Sequence, residues 1–461
     1  MEGNRAHVVV IGGGISGLAA AWHLSQGGVR VTVLEGSPRI GGKLHATEVA
    51  GVRVDAGAEA MLARRPEGKE LAKAVGLGDD LVNPGTTSAS IYSRGTLRPM
   101  PKGQVMGVPS DLTELAKSGV VSPGGLLRVP LDQVLPATLV RTDVSVASYI
   151  RARMGAEVLE RLVEPLLGGV YAGRADMLSL AATMPAVAEA ARSERSLLNA
   201  ARQIVAEAPK EAGPVFASLR NGLGSLPGAV AAASGAEVRT GVTVRELRRT
   251  AGGWQLVTGP VPRPEVVEAD AVVVATPGPS AARLLKDEVP KAAAELARIE
   301  YASMAIVTLA YPVDAFPVPP TGSGYLTPPV EGRSVKAATF SSIKWPHLAN
   351  DLVIVRCSIG RLGEEALLQR DDSELVSLAI AELSEVMGVR GLPVDTRVSR
   401  WGGALPQYNV GHLDRVARVF SAVAVQPGLA VCGAAYDGLG IPACISTART
   451  AAARILGGLD S

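Results

Sequence analysis

Aromatic side chains are scarce: Phe, Tyr and Trp together make up 3% of the 461 residues. A binding site walled by aromatic rings therefore has little material to draw on. Cysteine is scarcer still. Cys357, Cys432 and Cys444 form no CxxC pair, which excludes a disulfide framework and a zinc site and suits a reducing cytoplasm. The five histidines, His7, His23, His45, His347 and His412, show neither HxxxH nor HExxH spacing, so no metal site is expected. No run of 18 apolar residues occurs, and Pro427, Asp437 and Pro442 break the apolar C-terminal stretch. A transmembrane helix is not expected. Residues 1–10 run directly into a strand pattern, so no cleavable signal peptide is expected. The net charge is only +2, which gives no field suited to nucleic acid.

What is present is an ordinary globular composition, 47% apolar and 20% charged, in a chain long enough for two or three lobes. His7 to Ile11 reads HVVVI, the pattern of a strand buried on both faces of a parallel sheet. Glycines follow, then a helix over 18–26, then a second strand ending at Glu35. This is a complete βαβ unit. A short helix is predicted over 67–75 and a strand over 90–93. Helical patterns dominate 111–210, where Gly168-Gly169 reads as an interruption and 186–208 as one long helix. Strands are predicted over 237–240, 242–248, 254–258 and 271–275, a helix over 373–387, and a closing strand, glycine-rich turn and helix over 429–456. Nucleotide-binding character thus recurs at the start, middle and end. The predicted class is α/β, with a discontinuous Rossmann-like domain formed by 1–76, 214–280 and 395–461. A mixed-sheet substrate domain takes 77–110 and 281–394, and 111–213 is a helical insertion.

Five segments carry chemistry. Gly12-Gly13-Gly14-Ile15-Ser16-Gly17 opens a helix whose N-terminus offers N–H donors and a favourable dipole to a pyrophosphate. Its glycines serve the tight turn, the phosphate approach and the helix packing. Glu35, with Gly36 beside it, stands roughly 20 residues on, where its carboxylate can accept ribose hydroxyls. Arg39-Ile40-Gly41-Gly42-Lys43 resembles the R-x-G-G-K element that borders the FAD pyrophosphate in amine-oxidase-like flavoproteins, and this selects FAD over NAD. In Asp55-Ala56-Gly57-Ala58-Glu59-Ala60, small residues would let a flavin ring lie against backbone. The valines after Gly241 are candidates for adenine, Val244 first and Val242 as the alternative. Leu439, Gly440 and Ile441 open the last helix, whose dipole would stabilise charge on a reduced flavin.

These motifs, with Val163 to Gly173 (VEPLLGGVYAG), Gly324 to Pro328, Lys344-Trp345-Pro346-His347, Arg400-Trp401, Pro406-Gln407-Tyr408 to Gly411-His412 and Gly438 to Ile445, resemble the protoporphyrinogen/coproporphyrinogen oxidases of haem biosynthesis from end to end. The resemblance implies an amine-oxidase and hydroxybenzoate-hydroxylase-like flavoprotein architecture with FAD as cofactor. It implies a six-electron oxidation of a porphyrinogen, in which FAD takes hydride from a meso carbon and O2 reoxidises it to H2O2. No side chain is assigned as acid or base, because the flavin carries the chemistry. Trp401 joins the cofactor contacts. The macrocycle needs an apolar slot with cations at its mouth. Gly168, Gly169, Tyr171 and Leu326 are expected to wall the slot, the glycines exposing carbonyls to pyrrole N–H groups. Arg64, Arg65 and Lys344 are expected at the propionates. Coproporphyrinogen III is the implied substrate, with protoporphyrinogen IX as the alternative and an amine oxidase or carotenoid desaturase further off. Expected partners are the substrate, O2 and, transiently, the next haem-pathway enzyme. A cytoplasmic protein, in peripheral contact with a membrane at most, is expected.

Overall fold

The computed structural model describes residues 5–138, 142–208 and 213–459. Its first layer is a five-stranded parallel sheet. The spatial order is Glu237–Arg239, Arg30–Leu34, His7–Ile11, Ala271–Val274, Leu429–Val431. His7–Ile11 lies at the centre and is buried throughout. Val8 and Val10 face one hydrophobic cluster, with helices Ile15–Ser25, Leu226–Ser234 and Ile441–Leu459. Val9 and Ile11 face the other, built from a three-stranded antiparallel sheet and helices Gly278–Leu285, Pro290–Leu296 and His412–Ala424. Successive side chains of a strand point to opposite faces. A run of four apolar residues is what a strand covered on both sides requires.

The second layer is a mixed seven-stranded sheet. Its order is Asp395–Pro406, Tyr301–Pro312, Leu352–Ile359, Val335–Phe340, Gly324–Leu326, Ser90–Ser93, Thr96–Pro99. Every pairing is antiparallel except Gly324–Leu326 with Ser90–Ser93. Helix Asp372–Met387 covers one face. The third unit is the helical region between Leu112 and Glu207, with its own core.

Several expectations are corrected. Gly168 and Gly169 do not interrupt the helical region; they lie inside helix Glu164–Tyr171. The predicted helix over 186–208 is two helices, Pro185–Ser193 and Leu197–Glu207. The break is held by Ser196, whose hydroxyl accepts the Asn199 N–H and donates to the buried Asp132 carboxylate. The strand predicted over 242–248 begins only at Glu246, because Gly241 and Val242 donate their N–H groups to Ser37 and Glu35 instead of to a sheet neighbour. Strand Asp395–Pro406 pairs with Tyr301–Pro312 in the mixed sheet, and the helices over 278–296 pack on the parallel sheet.

Asp132 anchors the helical region. It receives the Arg153 guanidinium, the Ser196 hydroxyl and the Leu198 N–H, and both charged side chains are almost fully buried. Removing one partner of such a pair leaves an uncompensated buried charge, at about 3–5 kcal/mol. Asp132→Ala is therefore expected to lower unfolding free energy by about that amount, measured by urea denaturation. An unchanged midpoint would contradict it.

Candidate functional site

The site is built around the first turn of helix Ile15–Ser25. A Cβ on Gly17 would lie 1.9 Å from the Gly12 carbonyl oxygen, so only glycine lets the helix close on the strand. A Cβ on Gly14 would meet nothing within 4 Å, which leaves the approach to the helix N-terminus open. Gly14 is the N-cap and supplies no side-chain acceptor. The first-turn N–H groups of Ile15, Ser16 and Gly17 have no intrahelical partners and suit an anion. Glu35 lies beside this turn. Its Oε2 accepts the Gly13 N–H at 2.6 Å and its Oε1 the Ser37 N–H at 2.7 Å. Each carboxylate oxygen keeps a lone pair for a sugar hydroxyl.

The RIGGK loop is braced against the same turn. Gly41 donates its N–H to the Gly13 carbonyl at 2.8 Å, and Gly41 bridges Gly14. The basic side chains of this loop engage backbone carbonyls. Arg39 folds back onto the carbonyls of Ile40 and Gly42. Lys43 donates to the Ala404 carbonyl at 2.6 Å. Lys43 keeps exposed surface while burial by surrounding protein lowers its pKa. Of the two valines, Val242 already donates to Glu35. The Val244 N–H has no hydrogen bond among the described residues, which favours Val244 for adenine. Gly36 abuts this turn, its would-be Cβ 3.2 Å from Thr243 Oγ1.

The segment Asp55 to Ala60 is fastened at every step. Asp55 accepts the N–H groups of Leu223 and Gly224 at 2.9 and 2.8 Å. Trp401 Nε1–H donates to the Ala56 carbonyl at 3.0 Å. Arg356 donates to the Gly57 carbonyl and, at 2.5 Å, to Glu59. Lys344 and Ser341 complete the Glu59 carboxylate at 2.7 and 2.9 Å. Burial alone would raise the Glu59 carboxyl, but Lys344 and Arg356 outweigh it and hold it well below the usual carboxylate range. Glu59 is thus a buried fastening beneath the turn. Lys344, expected at the substrate, is turned to Glu59 and packs over Phe216 and Trp345. Arg356 escaped the sequence reading. Its signal was one arginine inside the apolar strand LVIVRCSI, since a buried charge needs a partner.

The opposite wall is the helix Glu164–Tyr171 facing strand Gly324–Leu326. A Cβ on Gly169 would lie 3.5 Å from Leu326 Cδ2. The Gly168 carbonyl accepts the Ala172 N–H at 3.0 Å as part of the helix turn. The Tyr171 ring turns into the helical core beside Tyr408, with centroids 5.6 Å apart, and burial pushes its pKa up to about 12. Gln407 clamps the Tyr171 carbonyl at 2.8 Å. Tyr408 Oη donates to Ala434 at 2.6 Å, and His412 Nε2–H to Tyr436 at 3.0 Å. His412 stacks on Tyr408 at 4.0 Å, and burial lowers its pKa to about 4. The PQY and GH pieces therefore hold the turn that leads into Leu439, Gly440 and Ile441. Arg64 is exposed and pairs with no carboxylate among the described residues. Arg65 pairs with Glu67 at 2.7 Å and remains 41% exposed. No group of residues suited to a metal ion occurs among the described residues, and no described helix is long and apolar enough to cross a membrane.

The family model described as flavin containing amine oxidoreductase matches residues 15–456. The chain belongs to this family. Within the flavin-containing amine oxidoreductases, it is 38% identical to coproporphyrinogen III oxidase of Mycobacterium tuberculosis (strain ATCC 25618 / H37Rv) over 98% of both chains. It is 32% identical to the Bacillus subtilis (strain 168) enzyme of that name, again over 98% of both. A solved structure from Exiguobacterium sp. 255-15, which carries a provisional name of protoporphyrinogen oxidase, superposes with TM-score 0.87 at 32% identity over 99% of both chains. Cyclohexylamine oxidase from Brevibacterium oxydans shares the fold at TM-score 0.73 and 17% identity, over 99% of this chain and 100% of that one. These matches agree with the resemblance and the fold class read from sequence.

Burial pushes the Asp55 carboxyl from 3.8 up to about 6, against the opposing bonds from Gly224 and Leu223. A raised folded-state pKa means that the neutral form is favoured in the fold. Its stabilising effect is full below 3.8 and is lost as pH rises through about 6. Asp55→Asn is expected to remove a fall of roughly 2–3 kcal/mol in unfolding free energy across that window. Parallel pH curves for the two proteins would contradict it.

Proposed function

We propose that the chain is an FAD- and O2-dependent porphyrinogen oxidase whose substrate is coproporphyrinogen III. The observation that carries the reading is the near full-length match at 38% identity to an enzyme of that name. The tobacco chloroplastic protoporphyrinogen oxidase is more distant, at 28% identity over 98% of this chain and 86% of that one, which favours coproporphyrinogen over the protoporphyrinogen alternative. The scarcity of aromatic residues favours either over an amine.

The cradle fits FAD on its own geometry. The N–H groups at Gly14 to Gly17 suit the diphosphate, Glu35 the ribose, Val244 the adenine, and the segment Gly57 to Ala60 with Trp401 and Leu439 to Ile441 the flavin ring. When bound, FAD supplies the two-electron redox chemistry and the reactivity with O2. The protein's part is positioning. Gly169 and Leu326 pack together as one apolar wall for a flat macrocycle. Arg64, which is exposed, and Arg65, which pairs with Glu67 but keeps 41% of its side chain exposed, are the candidates for its carboxylates, since guanidinium matches carboxylate geometry. Lys344 is not part of that set, because Glu59 holds it.

Incubation with coproporphyrinogen III, protoporphyrinogen IX and an amine in parallel, with porphyrin fluorescence and oxygen uptake recorded, tests the reading. Fluorescence should rise fastest with coproporphyrinogen. Oxygen uptake with the amine and no porphyrin from either porphyrinogen would refute it. Glu35→Ala should release FAD on dialysis. Retention of the wild-type yellow colour would remove Glu35 from the ribose site. Arg65→Ala should raise KM for coproporphyrinogen, with its four carboxylates, more than for protoporphyrinogen. Equal changes would remove Arg65 from the carboxylate contacts.

A further inference from the structure

Two cations without a counter-charge share one cleft, away from the cofactor cradle. The cleft has a volume of about 390 Å³ and lies between the strand Glu246–Thr250 and the helix Gly278–Leu285, next to the turn that carries Val244. That volume falls in the range of small-molecule sites, and a charged lining selects a charged ligand. Arg245, Glu246 and Arg248 line it from the strand side, and Arg283, Lys286 and Asp287 from the helix side. Four cations thus meet two carboxylates. Glu246 is taken by Arg248, and Asp287 lies 3.9 Å from Lys286. Arg245 and Arg283 form no ion pair among the described residues. The terminal nitrogens of Arg283 donate to the carbonyls of Arg245 and Val244 at 2.7 and 3.1 Å, which brings its charge against the backbone of the other arginine. The Arg245 side chain makes no hydrogen bond among the described residues, and its Nε is shielded from solvent without a partner. A shielded donor left unpaired and two uncompensated like charges in one cleft both cost free energy. An anion between them relieves both.

We propose that this cleft binds the phosphoryl group of a small anionic molecule. The class follows from the charge and its layout. Four cations against two carboxylates leave a surplus of two positive charges, which matches a dianion. The cations reach the cleft from two elements, so the ligand must accept from several directions. A tetrahedral phosphoryl group does so, whereas one guanidinium fork already satisfies a planar carboxylate. Arg245 supplies such a fork, since none of its side-chain donors is committed. Arg283 keeps its Nε–H after its terminal nitrogens are spent on carbonyls. Lys286, 66% exposed, adds a charge just beyond the helix end. The site is separate from the Gly14 to Gly17 turn assigned to the cofactor diphosphate, and it does not depend on which substrate the enzyme oxidises. It shares one side chain with the turn proposed for adenine, because Arg283 also grips the Val244 carbonyl.

Calorimetric titration of inorganic pyrophosphate into the FAD-loaded protein tests the site, with wild type beside a double variant carrying Arg245→Met and Lys286→Met. Wild type should bind one pyrophosphate per chain saturably, and the affinity should fall several-fold between about 20 and about 200 mM NaCl, because the cleft is open to screening ions. The double variant should keep its FAD and its circular dichroism and bind pyrophosphate at least about tenfold more weakly. Malonate, a dianion with planar carboxylates, should also bind at least about tenfold more weakly than pyrophosphate. If the double variant loses its flavin or its fold, Lys286→Gln alone carries the test, with binding weakened about threefold. No saturable binding by wild type would overturn the assignment. So would unchanged affinity in the folded variant, which would place the anion elsewhere, for example at the Gly14 turn of flavin-free chains. Malonate bound as tightly as pyrophosphate would overturn the phosphoryl class.

Discussion

A single carboxylate between two cations joins the two sheets of this protein. Glu59 follows the segment that leaves the nucleotide layer, while Lys344 and Arg356 belong to the mixed sheet and its short connecting helix. Charge-assisted bonds of this kind gain strength where water is excluded. Arg356 does more than pair. Its second nitrogen reaches the Gly57 carbonyl, so the charge that neutralises Glu59 also fixes the backbone beside it. Trp401 and Lys43 tie the same region to the outer strand Asp395–Pro406 from opposite directions.

Another set of contacts does the same work at the other wall. Gln407, Tyr408 and His412 follow one strand in sequence. They grip the end of the helix Glu164–Tyr171 and the turn before Ile441. His412 performs this role as a neutral ring, since burial keeps it from protonating. The cleft is therefore rigid on both sides. That suits a reaction in which a bound cofactor supplies the redox chemistry and the protein contributes placement.

Much of this was legible in the sequence. The βαβ unit around Gly12 to Glu35 is local: strand, turn, helix and acidic residue carry their own periodicity and caps. The RIGGK loop packs against the turn at Gly13 and Gly14. Arg39 and Lys43 find carbonyls that only the folded chain brings near. Gly168-Gly169 read as a break because glycine weakens a helix, and tertiary packing overrides that preference. The strand DTRVSRWGGALP sits at the edge of the mixed sheet and is rich in polar residues, with no apolar run to announce it. Lys344 reads as available in sequence only because its partner lies 285 positions away. Arg356 escapes notice because it is hidden in an apolar strand.

The account as a whole requires a substrate that gives up six electrons in three equal rounds to O2. Simultaneous recording of oxygen consumption, H2O2 and porphyrin absorbance during complete conversion of coproporphyrinogen III measures this directly. Three O2 consumed and three H2O2 formed for each porphyrin is the expected result. Oxygen consumption without porphyrin, or a fixed ratio of one O2 per porphyrin, would contradict it.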